Sequence, residues 1–434
     1  MLKKFFPERI FKSKAHDGGQ NILWRIKIMF EKHLDVTRGS PPASLAPIKQ
    51  LAEAAGPAIM ADAGKLAGYY GGALGHPGLR EVFAKREGVS VDNVFISPGG
   101  MLAFRWTLEA ALRRKNYDTY QTSGVFDPLA KVVIGVPVVT YDRAIKTIAQ
   151  INRFYERLNV PNKIDVVCIP EGPDGPDHRV LQGVAHRLDY YYVIPTFSNP
   201  LGAVWSSEAR HKVLTLAKQF SFVIIEDSPY EQLWYGNEPP PRLFNLADKN
   251  PEVVISMNSL TKIINLAGVR SCYSIAPAWV MEFLLNSKNS PAQLFISQPV
   301  LASTILEPLV QDGLIESHSE FLRKRVGPIV REIAQLFPKY LGDFIQLHAE
   351  PQGGYFFWGQ VVAPEWSSDK MIELAAKNAN LKLQAGRGFY ADSEAEGRHR
   401  TFRIAAPPLE NEEDVRSFVQ RLRYVFTNEV IEIV

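Results

Sequence analysis

The chain has 434 residues, 46% of them hydrophobic and 22% charged, a composition typical of a soluble globular protein long enough for two domains. Its 49 basic and 46 acidic residues leave a net charge of +3, too small over this length for nucleic acid or an anionic membrane to be the main partner. No apolar run approaches the ~18 residues that span a bilayer, Pro7, Glu8 and Arg9 break the opening apolar stretch of what is then no secretory signal, and Cys168 and Cys272 match no metal spacing, so a cytoplasmic protein with reduced thiols is expected.

Residues 1 to about 60 hold one amphipathic stretch, from Ile22 to Leu34, followed by a loop from Leu34 to Pro42 in which Gly39 and the paired Pro41 and Pro42 forbid regular structure. Nothing here reads as a helix-turn-helix. The segment AGYYGGALGHPGLREVFAKR, which contains Tyr70, passes from glycine-rich loop to a helix with Leu79, Val82 and Phe83 on one face. A short strand, Val94 to Ile96, then meets the turn Ser97-Pro98-Gly99-Gly100 and a helix running from Met101 through Phe104, Leu108 and Leu112. Strand, glycine turn, helix is the order that cradles phosphate, because backbone N–H groups at a helix N-terminus point at an anion; a tight turn using glycine only for its backbone freedom is the plainer alternative. Residues 117 to 124 read as a loop, Val132 to Val139 as a buried strand, and Tyr141-Asp142-Arg143 as the opening of a helix through Ile145, Ile148 and Ile151.

From there the pattern is regular. Val166 to Ile169, Tyr190 to Phe197 and Phe222 to Ile225 are strand-like, and Ser206 to Phe220 is a helix whose Ser206-Ser207-Glu208 start offers a hydroxyl cap and an early negative charge. Apolar strands alternating with helices imply a parallel sheet covered on both faces. After about residue 300 the chain turns to longer charged helices, then to Gly353 to Trp358 and Phe402 to Ile404, which read as strands of a smaller α+β domain. There is no internal repeat.

Ligands of open α/β sheets bind outside the carboxyl ends of the strands, and three successive strand ends here each deliver a polar group. Asn199 follows Phe197, Asp227 with Tyr230 follows Ile225, and Ser259-Leu260-Thr261-Lys262 follows the apolar run Val253 to Ile255. A lysine in such a turn can be desolvated, and a desolvated amine loses its proton more readily and becomes a nucleophile toward an aldehyde. An amide, a carboxylate with a phenol, and a lysine make the set that pyridoxal phosphate needs: the carboxylate keeps the pyridine nitrogen protonated, Asn and Tyr donate to the ring oxygen, and the lysine holds C4′. Ser259, the turn at Gly99, Gly100 and Met101, and Arg270 are suited to the phosphate.

The chain resembles the fold-type I pyridoxal-phosphate enzymes of the class I/II aminotransferase family, which are aspartate-aminotransferase-like, over roughly residues 34 to 425. The resemblance rests on TRGSP at 37–41, YGGALGHPGLR at 70–80, SPGG at 97–100, SNPLG at 198–202, EDSPY at 226–230, SLTK at 259–262 with Arg270, GGYFFW at 353–358 and FRIA at 402–405. It implies an α/β fold with a mostly parallel seven-stranded sheet sandwiched by helices and a smaller α+β domain. The implied divisions are an N-terminal segment at 1–60 that gates the site, a large cofactor-binding domain at 61–300 and a small domain at 301–434. It further implies that Lys262 binds the cofactor as a Schiff base and moves the proton between Cα and C4′, that Asp227 pairs with the pyridinium, and that Asn199 and Tyr230 contact the ring oxygen. Gly99, Gly100, Met101, Ser259 and Arg270 would bind the phosphate, Arg403 the substrate α-carboxylate, and Gly39 would belong to the segment closing over the substrate. Tyr70 would reach the phosphate of a neighbouring subunit, which implies a homodimer with shared sites.

Each residue also has a plain structural alternative: Lys262 as a surface lysine, Asp227 capping the turn before Pro229, Asn199 as an Asx turn before Pro200, Arg403 on a surface strand, Tyr70 in the core. The sequence departs from the family where Gly100 and Met101 offer no hydroxyl to the phosphate, where Tyr141 stands as candidate for the ring-stacking aromatic, and where Cys272 follows Arg270 in place of a nearby glycine. The expected reaction is transfer of the amino group of an L-amino acid to a 2-oxo acid. The alternative is an elimination, a γ-substitution or cyclisation, for example on S-adenosylmethionine, or an oxidative deamination on the same fold. A cofactor-sensing transcriptional regulator and a non-catalytic scaffold fit less well, the first because residues 1–35 are too short for a DNA-binding domain and the second because Lys262, Asp227 and Arg403 are all present.

Overall fold

A computed structural model describes residues 30–68, 71–123, 130–157, 163–286, 300–431 and 433. Seven strands form the large sheet: β1 (Val94–Ser97), β2 (Val132–Pro137), β3 (Ile164–Ile169), β4 (Tyr190–Val193), β5 (Val223–Asp227), β6 (Val254–Ser259) and β7 (Cys272–Ile275). Their order is β1-β7-β6-β5-β4-β2-β3, parallel throughout the β6-to-β3 run, with β7 antiparallel to both neighbours. β1, β4, β6 and β7 are buried along their whole length, as strands covered on both faces must be.

Helices cover the two faces. On one side α1 (Gly100–Ser123) and α2 (Asp142–Arg157) contribute Phe104, Trp106, Ala144 and Ile148 to a core shared with Tyr190, Tyr192 and Ile225. On the other, α3 (Ser207–Phe220) packs Val213, Leu214 and Ala217 against Tyr191, Val193 and Ile224. Period-2 alternation along β4 thus sends Tyr190 and Tyr192 to one face and Tyr191 to the other. The cap expected for α3 is present, with Ser206 Oγ accepting from Ala209 N.

The smaller domain is built on an antiparallel sheet of β8 (Ile345–Leu347), β9 (Phe356–Val361), β10 (Gln384–Ala385) and β11 (Thr401–Ala405), in the order β8-β9-β11-β10. Its core joins Val361, Phe402 and Ile404 to Leu322, Val326 and Ile333 of the long helix α4 (Leu314–Leu341), and to Phe30, Leu34 and Val36 from the N-terminal segment. Leu34–Asp35 pairs in parallel with Leu381–Lys382 as a separate two-stranded sheet, so this segment is stitched to the smaller domain.

Several boundaries differ from expectation. β4 ends at Val193, and Phe197 takes a left-handed φ of 52°, so Ile194 to Phe197 is a connection and not strand. β5 runs on to Asp227 and β6 to Ser259, which places both residues in the last strand positions. Tyr117 to Ser123 is helix, not loop, and the helix Ile48–Ala61 and the strand β7 had no counterpart in the sequence reading. The amphipathic stretch expected from Ile22 lies largely outside the described residues.

Candidate active site

At the carboxyl ends of β4 to β6 a cavity of about 150 Å³ is lined by Gly99, Gly100, Met101, Tyr141, Asn199, Asp227, Tyr230, Ser259, Lys262 and Arg270, with Ile194, Pro229, Thr261 and Ala267. Lys262 sits on the short helix Leu260–Ile263 that β6 feeds directly, which gives the side chain a fixed base. Its Nζ donates to the Gly39 carbonyl at 2.5 Å and to Ser40 Oγ at 3.1 Å, and Tyr355 Oη donates to the Lys262 carbonyl at 3.0 Å. Burial, helped by the Arg403 and Arg270 cations, pushes its pKa down to about 8. A lysine so placed is no solvated surface residue.

Asp227 is 4% exposed, and burial pushes its carboxyl up to about 7. Tyr192 Oη donates to Asp227 Oδ2 at 2.9 Å, which works against that rise by favouring the carboxylate. Tyr230 is buried edge-on against Tyr355 and Phe356, and its phenol is held well above its ordinary pKa by burial, with Tyr141 and Asp227 adding to the effect, so it stays a neutral hydrogen-bonding group. Asn199 precedes Pro200 through a cis peptide bond. Its Oδ1 accepts from Arg403 Nη1 at 3.0 Å, which leaves the amide nitrogen as its free donor.

Arg403 lies on β11, 8% exposed, with its guanidinium 4.3 Å from the Phe356 ring centroid and 4.8 Å from that of Phe389. Nη2 donates to the Thr37 carbonyl at 2.8 Å, and Nε is buried without a partner. It is therefore not a surface strand arginine: two rings and an amide hold a planar cation whose fork has spare capacity for an anion.

Opposite, the turn at Ser97 to Gly100 starts α1. Gly99 has φ 101°, and a Cβ there would run into the Arg270 guanidinium, so only glycine lets the arginine lie over the turn. Arg270 Nη2 donates to the Pro98 carbonyl at 3.3 Å, and Ser259 Oγ and Thr261 Oγ1 lie 2.8 Å apart on the facing turn. A helix N-terminus, a guanidinium and two hydroxyls converge there without a hydroxyl from residues 100 and 101.

A family model for class I and II aminotransferases matches residues 192–422, just over half the chain and the part that carries Asn199, Asp227, Lys262, Arg270 and Arg403. The chain belongs to that family. This aminotransferase is 27% identical to a 2-aminoadipate transaminase of Thermus thermophilus over 387 residues, covering 87% of this chain and 86% of the relative. It is 25% identical over 254 residues to an aromatic-amino-acid aminotransferase of Thermococcus litoralis, covering 58% of this chain and 57% of the relative. Its fold matches that of LysN, an α-aminoadipate aminotransferase from Thermus thermophilus solved with N-(5′-phosphopyridoxyl)-L-leucine, at a TM-score of 0.75 and 22% identity, covering 99% of this chain and 98% of the other. The aminotransferase is a pyridoxal-phosphate enzyme, and the donor set fits that group: a primary amine of lowered pKa, a buried carboxylate, a phenol and an amide, and an anion cradle.

The contacts of three contributors were not legible in the sequence. Tyr192 reads as a core tyrosine in an apolar strand, although its alternation with Tyr190 puts it on the face that Ile225 and Asp227 share. Thr37 and Ser40 stand in the TRGSP stretch at 37–41, but nothing in that stretch says that Ser40 meets Lys262 or that the Thr37 carbonyl meets Arg403. Tyr70 lies outside the described residues. Cys272 is buried near Asp227 and Gly100, where burial pushes its thiol up to about 12 and keeps it neutral.

Proposed function

We propose that this aminotransferase moves the amino group of an L-amino acid to a 2-oxo acid, with Lys262 as the residue that holds the cofactor and carries the proton. The observation that supports this best is the Lys262 amine, lowered to about 8, in one cavity with the buried Asp227 carboxylate. Pyridoxal phosphate, when bound, supplies an electron sink that lets an amino acid lose its Cα proton. Asp227 would face the ring nitrogen, Asn199 and Tyr230 the ring oxygen and Tyr141 the ring. Gly99, Gly100, Met101, Ser259 and Arg270 would take the phosphate, joined by Tyr70 of a partner subunit. Arg403 would exchange the Thr37 carbonyl for the substrate carboxylate, fixing Cα relative to Lys262 Nζ. With a pKa near 8, Nζ is in part unprotonated at neutral pH, so it can accept a proton from carbon and give it back.

The homodimer is part of the proposal. The helix Ile48–Ala61 buries none of its residues in the monomer and leaves Ile48 56% and Met60 77% exposed, apolar area that a second copy would cover. The division at residues 60 and 300 is likewise proposed, with the core shared by Phe30, Leu34 and the smaller sheet in support. So is a cytoplasmic location, in keeping with two free cysteines; among the described residues no helix is long and apolar enough to cross a membrane.

The test is to mix the cofactor-loaded protein with a panel of amino acids and S-adenosylmethionine, without any oxo acid, and analyse cofactor and products together. Release of one equivalent of oxo acid per site, stopping until a second oxo acid is added, is the expected result. Many turnovers without an acceptor, giving a product other than a simple oxo acid, would overturn it in favour of a lyase, substitution or oxidase reaction.

A further inference from the structure

The strap from Thr37 to Pro42 does more than cover the site. Thr37 O accepts from Arg403, Pro42 O accepts from Asn265 Nδ2 at 3.1 Å, and between these two anchors Gly39 O and Ser40 Oγ both accept from Lys262 Nζ. The strap is held close because Gly39 has no Cβ; one would run into the Phe356 ring. Ser40 is thereby delivered to the reacting nitrogen by contacts 222 residues apart in the chain.

A neutral amine has two N–H bonds and one lone pair. Two acceptors on the same strap use both N–H bonds, so the lone pair is left pointing away from the strap. Once the amine has taken a proton, the buried ammonium still has these acceptors for two of its three donors, and a donor left without one is costly in a site with little water. The other charged and titratable groups about Lys262 are Arg403 on β11, Arg270 beyond the helix Leu260–Ile263, and Asp227, Tyr230 and Tyr141 across the cavity. The two cations oppose the ammonium, and the strap's two oxygens are the acceptors that hold it directly.

Resting on the functional reading above, we infer that Ser40 is a positioning residue for proton transfer: its hydroxyl, with the Gly39 carbonyl, aims the Lys262 lone pair and then supports the ammonium. The proton leaves the amino acid Cα for Lys262 Nζ and returns from Nζ to carbon, while Ser40 keeps its own proton throughout. Alanine at this position keeps the strap and the Gly39 carbonyl but loses the aim. Threonine keeps the hydroxyl.

Two measurements on Ser40→Ala and Ser40→Thr test this. In the full-length protein without cofactor, the pH dependence of Lys262 acetylation by acetic anhydride, read by mass spectrometry, gives the amine's midpoint. In the loaded enzyme, washout of deuterium from the amino acid Cα gives the proton-transfer rate. Ser40→Ala is expected to move the midpoint downward and slow washout on the order of tenfold, the effect of one hydrogen bond to a charged group, with KM unchanged. Ser40→Thr is expected to restore both. A Ser40→Ala protein with the wild-type midpoint and washout rate, or with a raised KM as its sole change, would overturn the inference and leave Ser40 as strap packing. If borohydride fails to fix the cofactor on Lys262 at all, the functional reading itself fails; if it succeeds and Ser40→Ala is silent, this inference alone falls.

Discussion

Replacing Asp227 with asparagine should stabilise the cofactor-free protein at and above neutral pH. The carboxyl is buried, and its pKa is raised from 3.8 to about 7. Between those two values the folded protein keeps a proton that the unfolded chain has released, so stability is full below pH ~4 and is lost as pH rises to about 7. At 1.36 kcal/mol per pKa unit, the ionised carboxylate costs the empty site about 4 kcal/mol at pH 8. An amide of the same shape removes that cost and can still accept from Tyr192. With an unfolding entropy of ~2 cal/mol/K per residue over 434 residues, this converts to a Tm higher by about 5 °C. The assay is thermal unfolding of the cofactor-free wild-type and Asp227→Asn proteins across pH 4 to 8. The variant should melt higher at pH 8, with the gap closing as pH is lowered. Equal or lower melting of Asp227→Asn at pH 8 would refute the argument that this carboxylate is held at a cost to the fold.

Three further outcomes follow from the site's contacts. Tyr192→Phe removes the hydrogen bond to Asp227 Oδ2 and should weaken cofactor affinity about tenfold in a fluorescence titration of the cofactor-free protein; unchanged affinity would show that the contact does not support the carboxylate. Arg403→Lys keeps the charge but loses the planar fork between Phe356 and Phe389, so kcat/KM for the amino acid should fall about a hundredfold, mainly through KM. A fall confined to kcat would contradict a role in gripping the carboxylate. Gly202 has φ 70° and faces the Phe356 carbonyl, so Gly202→Ala should cost more than ~1 kcal/mol in chemical denaturation, and a variant of wild-type stability would mean that this loop relaxes freely.

The site was legible where a strand end and a chemically distinctive residue coincide. Asn199, Asp227 and Lys262 each follow an apolar run, and the parallel order of β4, β5 and β6 brings those ends side by side. The helix from Tyr117 to Ser123 was not legible because no residue from Arg113 to Asp118 is buried, so no apolar period marks it. β7 is four residues long and its Cys-Tyr-Ser-Ile pattern carries no alternation of apolar and polar faces, since both faces are covered. Tyr192 hides among three consecutive tyrosines, and its task becomes visible only when β5 is placed beside β4. Ser40 meets Lys262 through tertiary contact, which local pattern does not encode.

The proposed role of Lys262 is to hold pyridoxal phosphate and give it up to an amino acid. It is tested most directly by reducing the loaded protein with borohydride, digesting it and mapping the phosphopyridoxyl group by mass spectrometry, with and without prior addition of an amino acid donor. The label is expected on Lys262 alone, and it is expected to be lost from Lys262 when the donor is added first. A label on another lysine, or a label on Lys262 that no amino acid in the panel displaces, would contradict it.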